Sequence, residues 1–164
     1  MMGVGKSTIG KKLSKKLELK FIDIDQIIEQ EEKTTIKEIF KNKGESYFRR
    51  IEKKTTLEEL KKNNLVVALG GGAITSTAIR REIKNSCISF WLDLSLKLLI
   101  PRLKNSRKRP LLNQDSLEKS INKIYSERKK TYNESDYKIR CNSMDKNEIV
   151  DKIVKLYESS RNKN

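Results

Sequence analysis

The sequence predicts a three-layer α/β fold on a central parallel sheet, and three observations predict it. Short apolar runs alternate with segments of helical period along the 164 residues, the pattern of strands joined by crossover helices. One run, LVVALGGG at 65–72, is apolar throughout and ends in three glycines; an uninterrupted run suits a parallel strand buried on both faces. The chain opens on GVGKST at 3–8. This is the second half of a phosphate-binding loop, G-x-x-x-x-G-K-[ST], which joins a strand to a helix.

The elements follow in order. After the loop, Ile9, Leu13 and Leu17 fall at helical spacing. KFIDID (20–25) reads as a short strand and QIIEQEE as a helix; TIKEIFKNKGE reads as a second helix stopped near Gly44. SYFRRIEKKTTLEELKK (46–62) is a longer helix with Phe48, Ile51 and Thr55 on its inner side. The strand at 65–72 leads to a helix in STAIRREIK, and CISFWLDL (87–94) is the next strand. SLKLLIPRLK is helical with Pro101 inside it, where a kink or weak turn is expected. NSRKRPLLNQ (105–114) is a basic loop, SLEKSINKIYSERKKTY a helix and YKIRC (137–141) a strand. The last helix opens at an Asp145/Glu148 capping box.

Composition narrows the chemistry. The length suits one domain with one core. No run reaches the about 18 apolar residues of a membrane span, and no basic-then-apolar leader is visible, so a cytoplasmic protein is expected. With 37 Lys and Arg against 22 Asp and Glu, the net charge is +15. An anionic partner is one reading. Lysines solvated along helix faces fit better, because they are spread over the chain and few aromatics interleave with them. The absence of His excludes Ser-His-Asp and Cys-His catalysis and His-ligated metal. A metal here is held by oxygen, which points to Mg²⁺. Cys87 and Cys141 lie in apolar segments and read as buried thiols in a reducing compartment.

Five constellations carry chemistry. Backbone N–H groups around Gly3, Val4 and Gly5 can cradle phosphate at a helix N-terminus; Lys6 then reaches the β/γ-phosphates and Ser7 ligates Mg²⁺. Asp23 and Asp25 sit at i and i+2, on one side of a strand. One carboxylate can serve the Mg²⁺ shell and the other orient or deprotonate a hydroxyl; a solvated strand end is the competing reading, and both stay open. Arg49 has Glu45 at i−4 and Glu52 at i+3. That is either a surface ion pair or an arginine held to grip a substrate carboxylate bidentately. Gly70, Gly71 and Gly72 let a ligand approach the backbone at a strand end. Arg107 and Arg109, beside Pro110, form a basic loop that is either solvated or able to stabilise transition-state charge. Arg128 lies one turn before Tyr132.

In this order, GVGKST, FIDIDQIIE, IKEIF…GESYFRRIE, VVALGGGAI, FWLDLS, RLKNSRKRPLL and ERKKTYNESDYKI resemble the shikimate kinase family of P-loop kinases. The resemblance runs from Gly3 to about Ile139. Nucleoside monophosphate and gluconate kinases share the loop but are not similar in the rest. The resemblance implies a single kinase domain over 1–164 with family strand order 2-3-1-4-5, substrate-binding helices at 33–62 and a lid at 104–116. It implies transfer of the ATP γ-phosphate to the 3-hydroxyl of shikimate with Mg²⁺, on the way to chorismate and aromatic amino acids. By matching position, Gly3, Val4, Gly5, Lys6, Ser7 and Thr8 hold the ATP phosphates, and Ser7 and Asp23 serve the metal. Asp25 binds the substrate hydroxyls and is the candidate base, and Arg49 and Arg128 clamp the carboxylate. The Gly70–Gly72 backbone lies along the substrate, Arg109 is the lid arginine reaching the transferred phosphate, and Arg102 lies on the adenine side. Asn142 and Ser143 match the adenine loop loosely. The partners implied are shikimate and ATP, without nucleic acid or membrane, and the enzyme is expected to be a monomer.

The loop's first glycine would fall one place before Met1, and no strand precedes the loop. We therefore expect that the sequence as written lacks the family's first, central strand. Two alternatives follow from that and from the charge: a truncated non-catalytic remnant, which tight Mg-ATP binding would exclude, and a basic nucleic-acid-binding protein, which salt-dependent DNA binding without ATP turnover would favour.

Overall fold

Gly5 starts the first helix. In the computed structural model, which describes residues 3–104 and 117–162, its φ of 91° and ψ of 25° lie in the left-handed region that glycine enters freely. The backbone turns there into α1, Lys6–Lys16, with Ile9 and Leu13 buried on one side. β1, Lys20–Asp23, follows and ends two residues sooner than the sequence suggests. The Asp23 carboxylate accepts the Asp25 N–H at 3.1 Å, which is an N-cap, so α2, Ile24–Glu32, begins inside the FIDID run. Asp25 therefore stands on the first turn of a helix, and the expectation that it shares one side of a strand with Asp23 is corrected.

α3, Ile36–Leu60, opens on a Thr35/Glu38 capping box and is broken at Gly44 (φ 78°, ψ 170°), where the sequence places a stop. β2 is Leu65–Ala68. A 3₁₀ turn at Ala73–Thr75 leads into α4, Thr77–Ser86, and then β3, Phe90–Asp93. α5, Leu96–Lys104, continues through Pro101, where a kink or weak turn was expected. The proline forfeits one backbone bond, but Leu99 and Leu103 on the same helix are 0% and 1% exposed, and their burial holds the turn. The expected lid, with Arg107, Arg109 and Pro110, lies outside the described residues over 105–116. α6 is Leu117–Tyr132, β4 Tyr137–Arg140, and α7, Lys146–Arg161, opens on the Asp145/Glu148 capping box.

β1 pairs with β2 in parallel, from Lys20↔Leu65 to Asp23↔Ala68. β3 pairs with β4 in parallel, from Phe90↔Tyr137 to Asp93↔Arg140. The described strands thus make two parallel pairs rather than one continuous sheet. Both pairs are neighbours in the expected order. β2 and β3 line a shared apolar cleft of about 490 Å³.

Burial divides among three clusters. Ile9, Leu13, Trp91, Leu99, Ile121 and Ile153 belong to the largest, which joins α1, α5, α6 and α7 to β3 and β4. Ile22, Ile24, Ile28, Ile39 and Phe48 pack α2 and α3 on β1. Each such side chain contributes about 1.5–3 kcal/mol on burial, and this cluster fixes α3 beside the strand ends. Leu60, Ala73, Ile79 and Ile83 form the third. Both cysteines are free; Cys141 is buried as expected, whereas Cys87 is only half-buried. Among the described residues no helix is long and apolar enough to cross a membrane.

Candidate active site

The loop at Gly3–Ser7 and the ends of β1 and β2 converge. Ser7, on the first turn of α1, donates its hydroxyl to Asp23 Oδ2 at 2.5 Å. The other Asp23 oxygen holds the Asp25 N–H, so one carboxylate both caps α2 and tethers α1. The cap turns Asp25 toward the end of β2: a Cβ added at Gly70 would lie 3.0 Å from Asp25 Oδ1 and 2.5 Å from Glu52 Oε1. The absence of a side chain at Gly70 is what lets two carboxylates stand against the backbone there.

Arg49 closes the same region from α3. Its Nη1 donates to Glu52 Oε2 at 2.6 Å, and its Nε and Nη2 donate to Glu45 Oε1 at 3.1 and 3.0 Å. Both sequence neighbours thus hold it, as the i−4 and i+3 spacing suggests. Burial works against the Arg49 charge, but Glu52 and Glu45 outweigh it and its pKa is raised. Glu52 is 2% exposed. Burial pushes its carboxyl up, opposed by Arg49 and reinforced by the charge of Asp25.

α6 reaches in from the other direction. Arg128 Nη1 donates to the Gly71 carbonyl at 2.9 Å, and Tyr132 Oη donates to the same oxygen at 2.6 Å. Burial raises the Tyr132 pKa, which keeps the phenol protonated as a donor. The three glycines therefore have Asp25 and Glu52 against Gly70, Arg128 and Tyr132 on Gly71, and the Arg49 guanidinium against Gly72. Acidic, cationic and backbone groups meet around one small turn, an arrangement suited to a small anion bearing hydroxyls.

The family model for shikimate kinase matches residues 2–158. The chain belongs to the shikimate kinase family. It is 42% identical over 153 residues to the shikimate kinase of Persephonella marina, covering 93% of this chain and 92% of that one. The shikimate kinase of Sulfurihydrogenibium sp. is 42% identical over 153 residues, covering 93% and 91%. Among solved structures, shikimate kinase from Acinetobacter baumannii in complex with shikimate aligns with a TM-score of 0.92 at 32% identity, over 97% of this chain and 89% of that one. Shikimate kinase from Aquifex aeolicus aligns with a TM-score of 0.85 at 31% identity, over 98% and 94%. These likenesses give the shikimate kinase fold, a parallel α/β P-loop architecture.

Within this family fold, the structure brings together Ser7, Asp23, Asp25, Arg49, Gly70, Gly71, Gly72 and Arg128. Gly3, Val4, Gly5, Lys6 and Thr8 lie in the loop and first turn of α1, and Lys6 lines the cleft between β2 and β3. Arg102 is exposed on α5, and Asn142 Oδ1 accepts the Ser95 N–H at 2.9 Å at the start of that helix. Arg109 lies outside the described residues. Sequence reasoning assigned no site role to Tyr132, for which the signal was its i+4 spacing from Arg128. It read Glu52 as a holder of Arg49 but not as a buried carboxylate against Gly70. A divalent cation fits the donors present. The hydroxyl of Ser7 and the carboxylate of Asp23 are hard oxygen donors side by side at the loop, the ligand type such a cation takes.

Proposed function

We propose that the chain transfers the γ-phosphate of ATP to the 3-hydroxyl of shikimate. What supports it is the convergence of Arg49 and Arg128, from separate helices, on the Gly71–Gly72 turn beside Asp25. Two guanidinium groups suit a carboxylate, which they take with paired donors. Asp25, against Gly70, suits a hydroxyl on the same small molecule.

The residues divide the work. The Gly3–Thr8 loop at the N-terminus of α1 holds the ATP phosphates with backbone N–H groups, and Lys6 lies against the β/γ-phosphates. Ser7 and Asp23 would hold Mg²⁺, which when bound neutralises phosphate charge. Arg49 and Arg128 fix the shikimate carboxylate, and the Gly70–Gly72 backbone lies along the ring. Asp25 orients the 3-hydroxyl and accepts its proton as the oxygen attacks the γ-phosphorus. The new O–P bond forms as the bond to the bridging oxygen breaks, and ADP leaves. Such transfer depends on positioning and charge stabilisation more than on a strong base, which suits a protein without histidine. By the family resemblance Arg109, which lies outside the described residues, stabilises the transferred phosphate, and Arg102 serves the adenine side. We infer a cytoplasmic enzyme, a reading supported by two free cysteines, and one that acts as a monomer.

ADP release with Mg-ATP, measured with and without shikimate, tests the reading. Turnover that requires shikimate and is lost with its methyl ester is expected. No shikimate-dependent turnover refutes it.

A further inference from the structure

We infer that Arg80 is a positioning residue for the substrate site: its guanidinium locks the turn after Gly72 to the end of α6, and so sets Gly71 and Gly72 against Arg128. Its effect on shikimate rests on the kinase reading; the lock itself rests on the structure alone.

The turn is closed from within at its start and from outside at its end. The Ala73 N–H donates to Gly70 O at 3.1 Å. Thr75 closes on Gly72 O twice, with its N–H at 3.0 Å and its hydroxyl at 2.7 Å. The 3₁₀ turn is only three residues long, and the last carbonyls of a helical turn find no partner inside it. Ile74 O and Thr75 O both accept from Arg80 Nη1, each at 3.0 Å. A cation suits the carbonyl end of a turn, and a charged donor bonds more strongly than a neutral one. Arg80 is itself anchored on α4. Its N–H donates to Ser76 O at 3.1 Å and its Nη2 to Thr77 Oγ1 at 3.4 Å.

The same guanidinium reaches α6. Its Nε lies 3.0 Å from Glu134 Oε2, just beyond the end of α6 at Tyr132. α6 carries Arg128 and Tyr132, and both donate to Gly71 O. A closed circuit results. It runs from Gly71 to Arg128, along α6 to Glu134, across to Arg80, and back through Thr75 to Gly72. α6 thus holds one stretch of backbone at two points, at Gly71 directly and at Ile74 and Thr75 through Arg80. A turn held at one point can pivot about it; a turn held at two cannot. A pivot here would drive Gly72 into or away from the Arg49 guanidinium, which fills the space of the missing Cβ. Ile74, Thr75, Thr77 and Glu134, the side chains and carbonyls that Arg80 meets among the described residues, are none of those assigned to shikimate or ATP. Arg80 therefore acts through others. The ion pair with Glu134, its side chains 25% and 54% exposed, adds little stability of its own; its consequence is geometric. Only a planar fork serves the two carbonyls and the carboxylate together.

The test compares Arg80→Gln, Arg80→Lys and Glu134→Gln with Ile83→Val, a buried change further along α4. Shikimate-dependent ADP release by the unaltered protein is measured first, and its absence counts against the kinase reading alone. With turnover present, Arg80→Gln is expected to raise KM for shikimate at least about fivefold. KM for ATP stays unchanged and kcat stays within about twofold, the pattern of lost substrate binding. Arg80→Lys, charged but without the fork, does not restore KM. Glu134→Gln gives part of the rise, and the double variant is no worse than Arg80→Gln, because both changes break one circuit. Ile83→Val lowers Tm and leaves KM for shikimate as it was. A second arm needs no turnover. Amide exchange in the substrate-free protein is expected to quicken at Ala73 and Thr75 in Arg80→Gln and not in Ile83→Val. An unchanged shikimate KM in Arg80→Gln, an equal rise in Ile83→Val, full rescue by lysine, additive effects of the Arg80 and Glu134 changes, or unaltered exchange at Ala73 and Thr75 overturns the inference.

Discussion

Gly72 cedes its side-chain space to Arg49: a Cβ added there would lie 2.3 Å from Arg49 Nη1 and 2.6 Å from Cζ. The backbone of Gly72, at φ −99° and ψ −18°, is one that alanine adopts without strain. Gly72→Ala is therefore a displacement of Arg49 with little backbone cost. The expected outcome is a loss of about 100-fold in kcat/KM for shikimate, as for other small misplacements of a positioning group, with KM for ATP unchanged. Steady-state kinetics in both substrates checks it, and an unaltered shikimate KM would separate Arg49 from substrate binding.

Arg128 and Tyr132 share one acceptor, Gly71 O, and their substitutions should part company. Arg128→Lys loses the planar fork for a carboxylate and about 1.5–3 kcal/mol of charged hydrogen bonding, which is read as a raised shikimate KM. Tyr132→Phe removes a neutral bond at a buried site and should cost about 0.5–1.5 kcal/mol of stability, seen in denaturant unfolding, while kcat falls little because Arg128 still holds Gly71.

Asp23 and Asp25 are two residues apart and are expected to fail differently. Asp25→Asn keeps shape and removes the proton acceptor, so kcat should fall by about 10²–10⁴ with ATP binding preserved; an unchanged kcat removes Asp25 from the role of base. Asp23→Asn still caps α2, since asparagine is an equally good N-cap, but it weakens the carboxylate shell beside Ser7. A higher Mg²⁺ requirement at unchanged Tm is expected, measured by activity against Mg²⁺ concentration.

The start of α3 carries a pH dependence. Hydrogen bonds from the Thr35 hydroxyl, then from its backbone N–H and the Thr34 hydroxyl, lower the Glu38 pKa from 4.5 to about 2. A depressed carboxylate contributes stability that is complete above its unfolded pKa and lost as pH falls through its folded one. The contribution from Glu38 is thus present above about pH 4.5 and gone below about pH 2. Glu38→Gln should lower Tm at pH 7 and flatten this part of the acid limb, read from thermal unfolding across pH 2–5.

Several features were legible because they are local. Lys6-Ser7 after two glycines marked a loop and a helix start, Gly44 marked the break in α3, and Asp145 with Glu148 marked a cap; each depends on residues within one turn of each other. The arginine at 49 with acids at 45 and 52 announced its own holder. Asp25 was misplaced on the strand for a reason that is also local. A carboxylate at the end of an apolar alternation can continue the strand or cap a helix, and the hydrogen bond to the Asp25 N–H decided for the cap.

By itself the sequence determined the phosphate loop, the alternation of strands and helices, the apolar run into three glycines, and the family these motifs resemble, because spacing and residue type carry that information along the chain. Only the tertiary structure decided that Arg49 lies on Gly72, that Arg128 and Tyr132 meet on Gly71 from 57 and 61 residues away, and that β2 and β3 leave an apolar cleft between two parallel pairs. Those contacts follow from how buried faces pack the helices against the strands, and packing joins residues whose separation in the chain carries no periodic signal.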